Sequence, residues 1–372
     1  MKCKLSDICG FRKGKVSVST LTLQTYVSTE NMLPNKGGIV VANSLPTVEF
    51  TQEYKKGDIL VSNIRPYFKK IWQARWDGGC SNDVLVFQGN SNINRDFLYY
   101  TLANDDFFAY SLATSKGTKM PRGDRTSIME YEVPVFDIDT QIRIASVIRC
   151  LDEKIELNAA INNNLEQQAQ AIYQQMFIDN ASSDWAEGTL STIADITMGQ
   201  SPSGSSYNED GNGTIFFQGR AEFGFRFPTV RLYTTEPKRM ACANDTLMSV
   251  RAPVGDLNVA HTDCCIGRGL AAIHSKNNHQ SFVLYTMFSL KKQLDVFNGE
   301  GTVFGSINRS SLNEIPILIP SSEKLDEFEA LVAPMDAAIR SNYDEICRLD
   351  QLRDTLLPKL MSGELDVSDI DL

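Results

Sequence analysis

The stretches "SVIRCLDEKIELNAAINNNLEQQAQAIYQQMF" (residues 146–177) and "LVAPMDAAIRSNYDEICRLDQLRDTLLPKLMSGELDV" (331–367) decide the fold. In both, seam positions recur at alternating spacings of four and three residues, which is the a/d pattern of a coiled coil. A single amphipathic core helix is the alternative, although such helices seldom keep a 3.5-residue period for so long. We therefore predict two long helices that pair with each other.

Each seam position of one helix has a counterpart in the other, 184 residues away. Asn158 and Asn342 are such a pair, and an asparagine in an apolar seam lowers stability but fixes register. Arg353 is unusual on a closed seam, where its charge would snorkel to solvent or face a partner. Pro334 lacks an amide donor, so we expect a kink or break there. The predicted seam residues are Leu151, Ile155, Asn158, Leu165, Ile172, Met335, Ile339, Asn342, Leu349 and Leu356.

The repeat extends beyond the helices. Five short matches occur in the same order in both halves, at offsets between 182 and 187 residues, as small loop insertions would produce. We expect each half, residues 1–180 and 185–372, to be one copy of the same unit. The matches are residues 5–8 with 190–193, 58–62 with 245–249, Arg65 with Arg251, 117–118 with 301–302, and 133–135 with 315–317.

The segments outside the two long helices predict an α+β fold. Short β-rich runs such as "GDILVSNI" (57–64) and "DTLMSV" (245–250) lie between Gly, Pro, Asn and Asp residues. Short helices are predicted near 95–112 and 280–297. The predicted domains are 1–135 and 181–317, with helical spacers at 136–180 and 318–372.

Length and composition limit the class of protein. The 372 residues predict two domains or three, and 42% hydrophobic residues suffice for large cores. No apolar run is long enough for a membrane span, and the N-terminus lacks a secretory signal. The eight cysteines include no C-x-x-C pair, so we expect reduced thiols, no metal site and a cytoplasmic protein.

Enzyme motifs are missing from the sequence. "GFRKGKV" (10–16) is one residue too short between its glycines for a phosphate loop, and Val16 replaces the hydroxyl that binds magnesium. There is no G-x-S-x-G, H-E-x-x-H, G-x-G-x-x-G or Asn/Asp-Pro-Pro-Tyr motif. Together these absences favour a binding or scaffold protein without catalytic residues.

Taken over the whole chain, the net charge of −10 argues against nucleic-acid binding, but the charge is distributed unevenly between segments. Residues 136–184 and 318–372 together carry −13, whereas residues 1–135 and 185–317 together carry +3. The acidity therefore belongs to the helices.

In the globular parts, basic residues cluster in loops with polar and aromatic neighbours. A single charged loop is usually only solvated, but several such loops in both copies favour DNA contact. The predicted DNA-contacting residues are Arg12, Lys13, Lys15, Asn63, Arg65, Tyr67, Lys69, Lys70, Lys116, Lys119, Arg122, Arg125, Gln218, Arg220, Arg226, Arg231, Arg251, Arg268 and Arg309.

With these features, the sequence resembles the specificity subunits of type I restriction–modification systems over essentially the whole chain. The resemblance rests on the two-copy layout, the two helical stretches, "GDILVSNIRP", "GGCSNDVLVF" and "DTLMSVRAPVGDL". The ending "LLPKLMSGEL" is its most specific part.

The resemblance implies two target-recognition domains on two helices packed as an antiparallel coiled coil, with an internal pseudo-twofold repeat. Each domain would recognise half of a bipartite site in double-stranded DNA, and the helices would set the gap and dock two modification (methyltransferase) subunits. S-adenosylmethionine would bind those subunits, and ATP and Mg²⁺ would serve restriction/translocase subunits, so this chain needs no cofactor. The alternatives are a coiled-coil scaffold without DNA readout and, less favoured, an enzyme with an unrecognised site.

Overall fold

A computed structural model describes residues 2–117, 119–299 and 305–367 of the chain. It contains two compact units, one formed by Met1–Glu156 with Ile346–Leu372 and the other by Leu157–Glu345. Each unit takes in one globular part and a piece of both long helices. The match between 117–118 and 301–302 lies partly outside the described residues.

The first unit contains two four-stranded sheets, ordered β2-β9-β6-β7 and β3-β5-β8-β4, and the pair β1-β10. Its elements are β1 (Lys2–Lys4), α1 (Leu5–Ile8), β2 (Cys9–Phe11), β3 (Lys15–Ser17), β4 (Tyr26–Val27), β5 (Phe50–Tyr54), β6 (Ile59–Ser62), β7 (Ile71–Gln73), β8 (Gly78–Cys80), β9 (Val84–Gly89), α2 (Arg95–Ala103), α3 (Asp105–Ala113), α4 (Arg125–Met129), β10 (Glu132–Pro134) and the start of α5 (Ile138–Tyr173). All four residues of β6 are buried, as the apolar run "ILV" predicts for a strand inside the core, and the buried Ser62 hydroxyl donates to Ile64 O at 3.1 Å.

The second unit repeats this plan with sheets β12-β20-β17-β18 and β13-β15-β14-β19-β16, and the pair β11-β21. Its elements are β11 (Ala186–Thr189), α6 (Leu190–Ile193), β12 (Ala194–Met198), β13 (Tyr207–Asn208), β14 (Thr214–Phe217), β15 (Leu232–Thr234), β16 (Met240–Ala241), β17 (Thr246–Ser249), β18 (Leu257–Val259), β19 (Cys264–Ile266), β20 (Leu270–Ser275), α7 (Gln280–Ser289), α8 (Lys291–Leu294), α9 (Arg309–Asn313), β21 (Pro316–Ile319) and most of α10 (Ser322–Ser362). The predicted α+β fold and its internal repeat are confirmed.

The two long helices run antiparallel within each unit. In the second unit, Asn158 Nδ2 donates to Glu345 Oε2 at 2.8 Å and Asn342 Nδ2 donates to Asn162 Oδ1 at 2.9 Å, so positions rise along α5 as they fall along α10. The predicted seam residues are all buried or half-buried. A polar cluster therefore lies inside this helix pair, where it specifies register.

Two expectations about α10 are corrected. The break expected at Pro334 is wrong, since α10 runs without interruption from Ser322 to Ser362, while a kink there stays a prediction. Pro334 and Ala330 are both exposed, so water can bind the Ala330 carbonyl that lacks its amide donor. The Arg353 guanidinium does not extend to solvent or to a partner protein as expected, since its Nη1 donates to Asp152 Oδ1 at 3.1 Å within the first unit.

Candidate DNA interface

Two loops of the first unit are tied together by their backbones. Arg65 N donates to Pro121 O at 2.8 Å, and Gly123 N donates to Asn63 O at 3.1 Å. Residues 63–70, 115–117 and 119–125 thereby form one surface, which we call the first cationic surface. It carries nine of the residues predicted to contact DNA: Asn63, Arg65, Tyr67, Lys69, Lys70, Lys116, Lys119, Arg122 and Arg125.

Several cations of this surface are held by carboxylates. Lys69 Nζ lies 2.7 Å from Asp105, and Arg122 Nη2 lies 3.0 Å from Asp83. Lys116 pairs with Asp124, and this hydrogen bond helps to lower the pKa of the aspartate to about 2. Such exposed pairs exchange readily for phosphate, because a surface salt bridge is worth only about 0–1 kcal/mol.

Among the described residues, Lys119 and Arg125 of this surface and the nearby Lys13 and Lys15 form no such ion pair. Lys13, Lys15 and Lys119 are exposed, and Arg125 Nη2 donates to Asn82 O at 3.3 Å. Lys70 is different, because its ammonium donates to Thr29 O at 2.6 Å and burial lowers its pKa. The surface therefore combines exposed, unpaired cations with the Lys70 ammonium, which a backbone carbonyl fixes.

Aromatic and polar side chains accompany these cations. Tyr67 and Phe68 are 47% and 37% exposed, with ring centroids 4.7 Å apart. Lys15, Phe50 and Asn82 help to line a neighbouring cavity of about 320 Å³. Sequence reasoning missed Phe50 and Asn82, although the repeat offers a signal, since Asn82 corresponds to Arg268 at an offset of 186.

The second unit builds the same loop pair. Ala252 N donates to Gly305 O at 3.0 Å, and Ile307 N donates to Val250 O at 3.1 Å. These bonds reproduce those of the first unit at offsets of 184 to 187 residues. Three exposed arginines lie on or beside these loops, and we call them the second cationic set: Arg251, Arg268 and Arg309.

The other predicted contacts of the second unit lie elsewhere. Gln218 is exposed at the end of β14. Arg220 pairs with Asp256 at 2.8 Å, and Arg231 pairs with Glu222 at 3.0 Å. Both arginine side chains remain more than half exposed, which leaves them accessible to an anionic ligand.

Two of the predicted DNA contacts are structural groups. Arg226 is buried, with 4% of its surface exposed, and its Nη2 donates to Tyr285 Oη at 2.9 Å and Asp336 Oδ1 at 3.0 Å, so the prediction of a DNA contact there is wrong. Arg12 is mostly buried and bonded to Asp58 through two nitrogens, which raises its pKa. A loop arginine between aromatic residues looks the same in sequence whether it faces DNA or the interior.

Within the described ranges, no three His, Cys, Asp or Glu side chains are grouped so that they could hold a metal ion. Among the same residues, no helix is long and apolar enough to cross a membrane.

Two copies of one α+β unit, each with cations on or beside the same pair of loops, form the arrangement that we expect of a two-domain DNA-binding protein. The chain belongs to the family of the type I restriction modification DNA specificity domain, whose model matches residues 1–167 and 182–336. The predicted family and its DNA-specificity role are thus confirmed. The family implies DNA, methyltransferase and restriction partners.

Relatives agree with this assignment over most of their length. A putative type I restriction enzyme MjaX specificity subunit of Methanocaldococcus jannaschii is 29% identical over 77% of this chain and 72% of its own. The HindI specificity subunit of Haemophilus influenzae is 25% identical over 91% of this chain and 94% of its own. The crystal structure of a type I restriction-modification S subunit from M. genitalium shares the fold, with a TM-score of 0.61, 19% identity and coverage of 97% and 96%.

Proposed function

We propose that the first cationic surface recognises one half of a bipartite DNA site and the loops of the second unit recognise the other half. The observation that carries this proposal is the repeated loop pair, with the same two backbone hydrogen bonds in each unit. Two copies of one surface suit two short half-sites, since recognition modules pair with DNA half-sites by symmetry. The predicted domains 1–135 and 181–317 are the recognition domains in this proposal.

The long helices act as the spacer and the docking platform. At about 1.5 Å per residue, the 36 residues of α5 span roughly 54 Å. Leu157 and Ile161, one turn apart, are 54% and 40% exposed, which suits them to contact with a protein partner. We assign this role to two methyltransferase subunits, and the acidic spacers would face them rather than the DNA backbone.

The chain itself is non-catalytic in this proposal and acts in the cytoplasm. S-adenosylmethionine would bind the methyltransferase subunits, and restriction subunits would supply ATP- and Mg²⁺-dependent steps. With a net +3 in the globular parts, the chain alone neutralises few phosphates, so we expect it to bind DNA weakly without its partners.

Domain exchange in the assembled complex tests the two-reader proposal. Residues 1–135 are replaced by those of a relative with a different target, and adenine methylation is mapped by sequencing. A change confined to one half-site is expected. Changes in both half-sites would contradict independent recognition.

The second candidate is a scaffold without its own DNA recognition, favoured by the carboxylate pairing of Arg220 and Arg231. Replacing the second cationic set by alanine within the complex separates the two. We expect methylation to fall or lose preference in one half-site, whereas unchanged methylation would favour the scaffold.

A further inference from the structure

Arg65 differs from the other arginines of the first cationic surface. Its side chain is half-buried, and its Nε is buried without a hydrogen-bond partner in the described part of the chain. In the same part, no carboxylate oxygen lies within ion-pair distance of it, whereas Arg122 pairs with Asp83 at 3.0 Å. A guanidinium that is partly desolvated and unpaired has donors available for a ligand.

The backbone of Arg65 is held in an unusual conformation. Its φ of 51° lies in the left-handed region, which non-glycine residues seldom adopt. Arg65 N donates to Pro121 O at 2.8 Å and Arg65 O accepts from Phe68 N at 3.0 Å, so the strain is fixed on both sides. The structural counterpart of Arg65 is Ala252 and not Arg251 as the sequence match suggested, because Ala252 N makes the equivalent hydrogen bond to Gly305 O. The repeat does not require the left-handed conformation, since Ala252 has no positive φ. Strained residues of this kind concentrate at functional sites.

Arg65 lies at a small cavity whose lining suits a base edge. The cavity has a volume of about 210 Å³, and Phe68, Lys70 and Met120 line it together with Arg65. Phe68 and Met120 are 37% and 47% exposed, so this lining offers apolar contact to a ligand that enters from solvent. The Lys70 ammonium donates to Thr29 O and has no planar fork, so Arg65 is the cation of this lining that can donate two parallel hydrogen bonds.

We propose that Arg65 recognises a guanine in the half-site of the first recognition domain, by donating to its N7 and O6 atoms in the major groove. The planar guanidinium fork matches these two acceptors, which is why arginine is the commonest specific partner of guanine. This inference rests on the proposed function and names the base and the residue that reads it. Arg65 is then a specificity-determining residue, distinct from the exposed lysines that contact phosphate.

Two variants separate base recognition from charge and from backbone strain. Arg65→Lys keeps the charge and loses the fork, and Arg65→Gly removes the side chain at a position where glycine tolerates the backbone. Each is assembled with the methyltransferase subunits and given a plasmid library with randomised half-sites, and methylated adenines are sequenced. Both variants should lose preference for guanine at one position, by roughly 5- to 150-fold, while the other half-site keeps its preference.

The matched control is Lys119→Ala, which removes an exposed cation from the same surface and should lower methylation evenly across sequences. Thermal melting and assembly with the methyltransferase confirm that each variant is folded. An even loss in both Arg65 variants, or no loss, would overturn the assignment of Arg65 to a base. A wild-type complex without sequence preference would instead overturn the proposed function.

Discussion

Both units join a tyrosine of the globular part to an aspartate on a long helix, and they differ in where the neighbouring arginine comes from. In the first unit, Tyr100 Oη donates to Asp152 Oδ2 at 2.8 Å, and Arg353 of α10 completes the group. Arg353 also lies 2.9 Å from Asp350, so the arginine belongs to the helix pair itself.

In the second unit the equivalent residues are Tyr285 and Asp336, and Tyr285 Oη donates to Asp336 Oδ1 at 2.9 Å. Here Arg226 enters from a loop of the globular part, and its Nε lies 3.6 Å from Glu166, the counterpart of Asp350. The helix position that corresponds to Arg353 is Ala169, which is fully buried. The arginine beside the aspartate thus comes from a long helix in the first unit and from a loop in the second, where alanine occupies the equivalent helix position.

The caps of the equivalent helices α2 and α7 differ in the same way. Asn94 accepts from Asp96 N and Phe97 N at the start of α2. At the start of α7, Glu329 of α10 accepts from Ser281 N and Phe282 N instead. In both units, the same polar groups are satisfied by side chains that come from different elements. A residue of one unit therefore cannot be given the role of its counterpart from sequence position alone, and the contacts must be compared.

The largest effect should follow the loss of the more buried arginine. Arg226→Ala leaves Asp336 and Glu166 facing each other inside the second unit, and removing one partner of a buried ion group costs about 3–5 kcal/mol. Urea unfolding followed by hydrogen exchange, analysed separately for peptides of each unit, should show this loss in the second unit only. Arg220→Ala is the control, since Arg220 is half exposed and Asp256 keeps Lys291 at 3.0 Å. Equal losses in the two variants would contradict the structural role of Arg226.

Arg353→Ala should destabilise the first unit by less. Its side chain is 23% exposed and its carboxylate partners retain access to water, so we expect about 1–3 kcal/mol. The same hydrogen-exchange measurement compares it with Arg226→Ala. A loss in the first unit as large as that of Arg226→Ala in the second would mean that the two groups are equally desolvated.

These two arginines also show what sequence could and could not predict. The long helices could be predicted from the 3.5-residue period of their seam, and the repeat from five matches in the same order. Both signals extend over many residues, so one atypical residue does not hide them. The burial of Arg226 depends on Asp336, 110 residues away in sequence, and no local pattern shows that contact. The exchange of Arg353 for Ala169 at an offset of 184 is the one sequence signal that a cation had moved.

The helix caps, which also come from different elements in the two units, should give a smaller change in stability. Asn94→Ala removes two hydrogen bonds to the first turn of α2 and should cost the first unit about 1 kcal/mol. The exposed Asn92→Ala is the matched control and should be nearly neutral. Hydrogen exchange of the α2 amides measures the difference, and equal protection in both variants would remove Asn94 as the cap.

The smallest effect concerns pH and sets the Glu329 cap apart from the Asn94 cap, because only the first is ionisable. Burial raises the pKa of Glu329, although its hydrogen bonds to Ser281 N and Phe282 N and the nearby His279 oppose this. An acid whose pKa is raised by folding binds its proton more tightly in the folded state. Its contribution to stability is therefore complete below the ordinary glutamate pKa and is lost as pH rises through the raised value.

Glu329→Gln keeps an amide oxygen as acceptor and removes the ionisation, so the unfolding free energy of the second unit should fall less steeply with rising pH than in the wild type. The two proteins should converge as pH falls below the ordinary glutamate pKa of about 4.3. Glu323→Gln, exposed on the same helix, should leave the wild-type slope unchanged. A Glu329→Gln slope that matches the wild type would show that this carboxylate titrates alike in the folded and unfolded chain, and the two caps would then differ in origin but not in their response to pH.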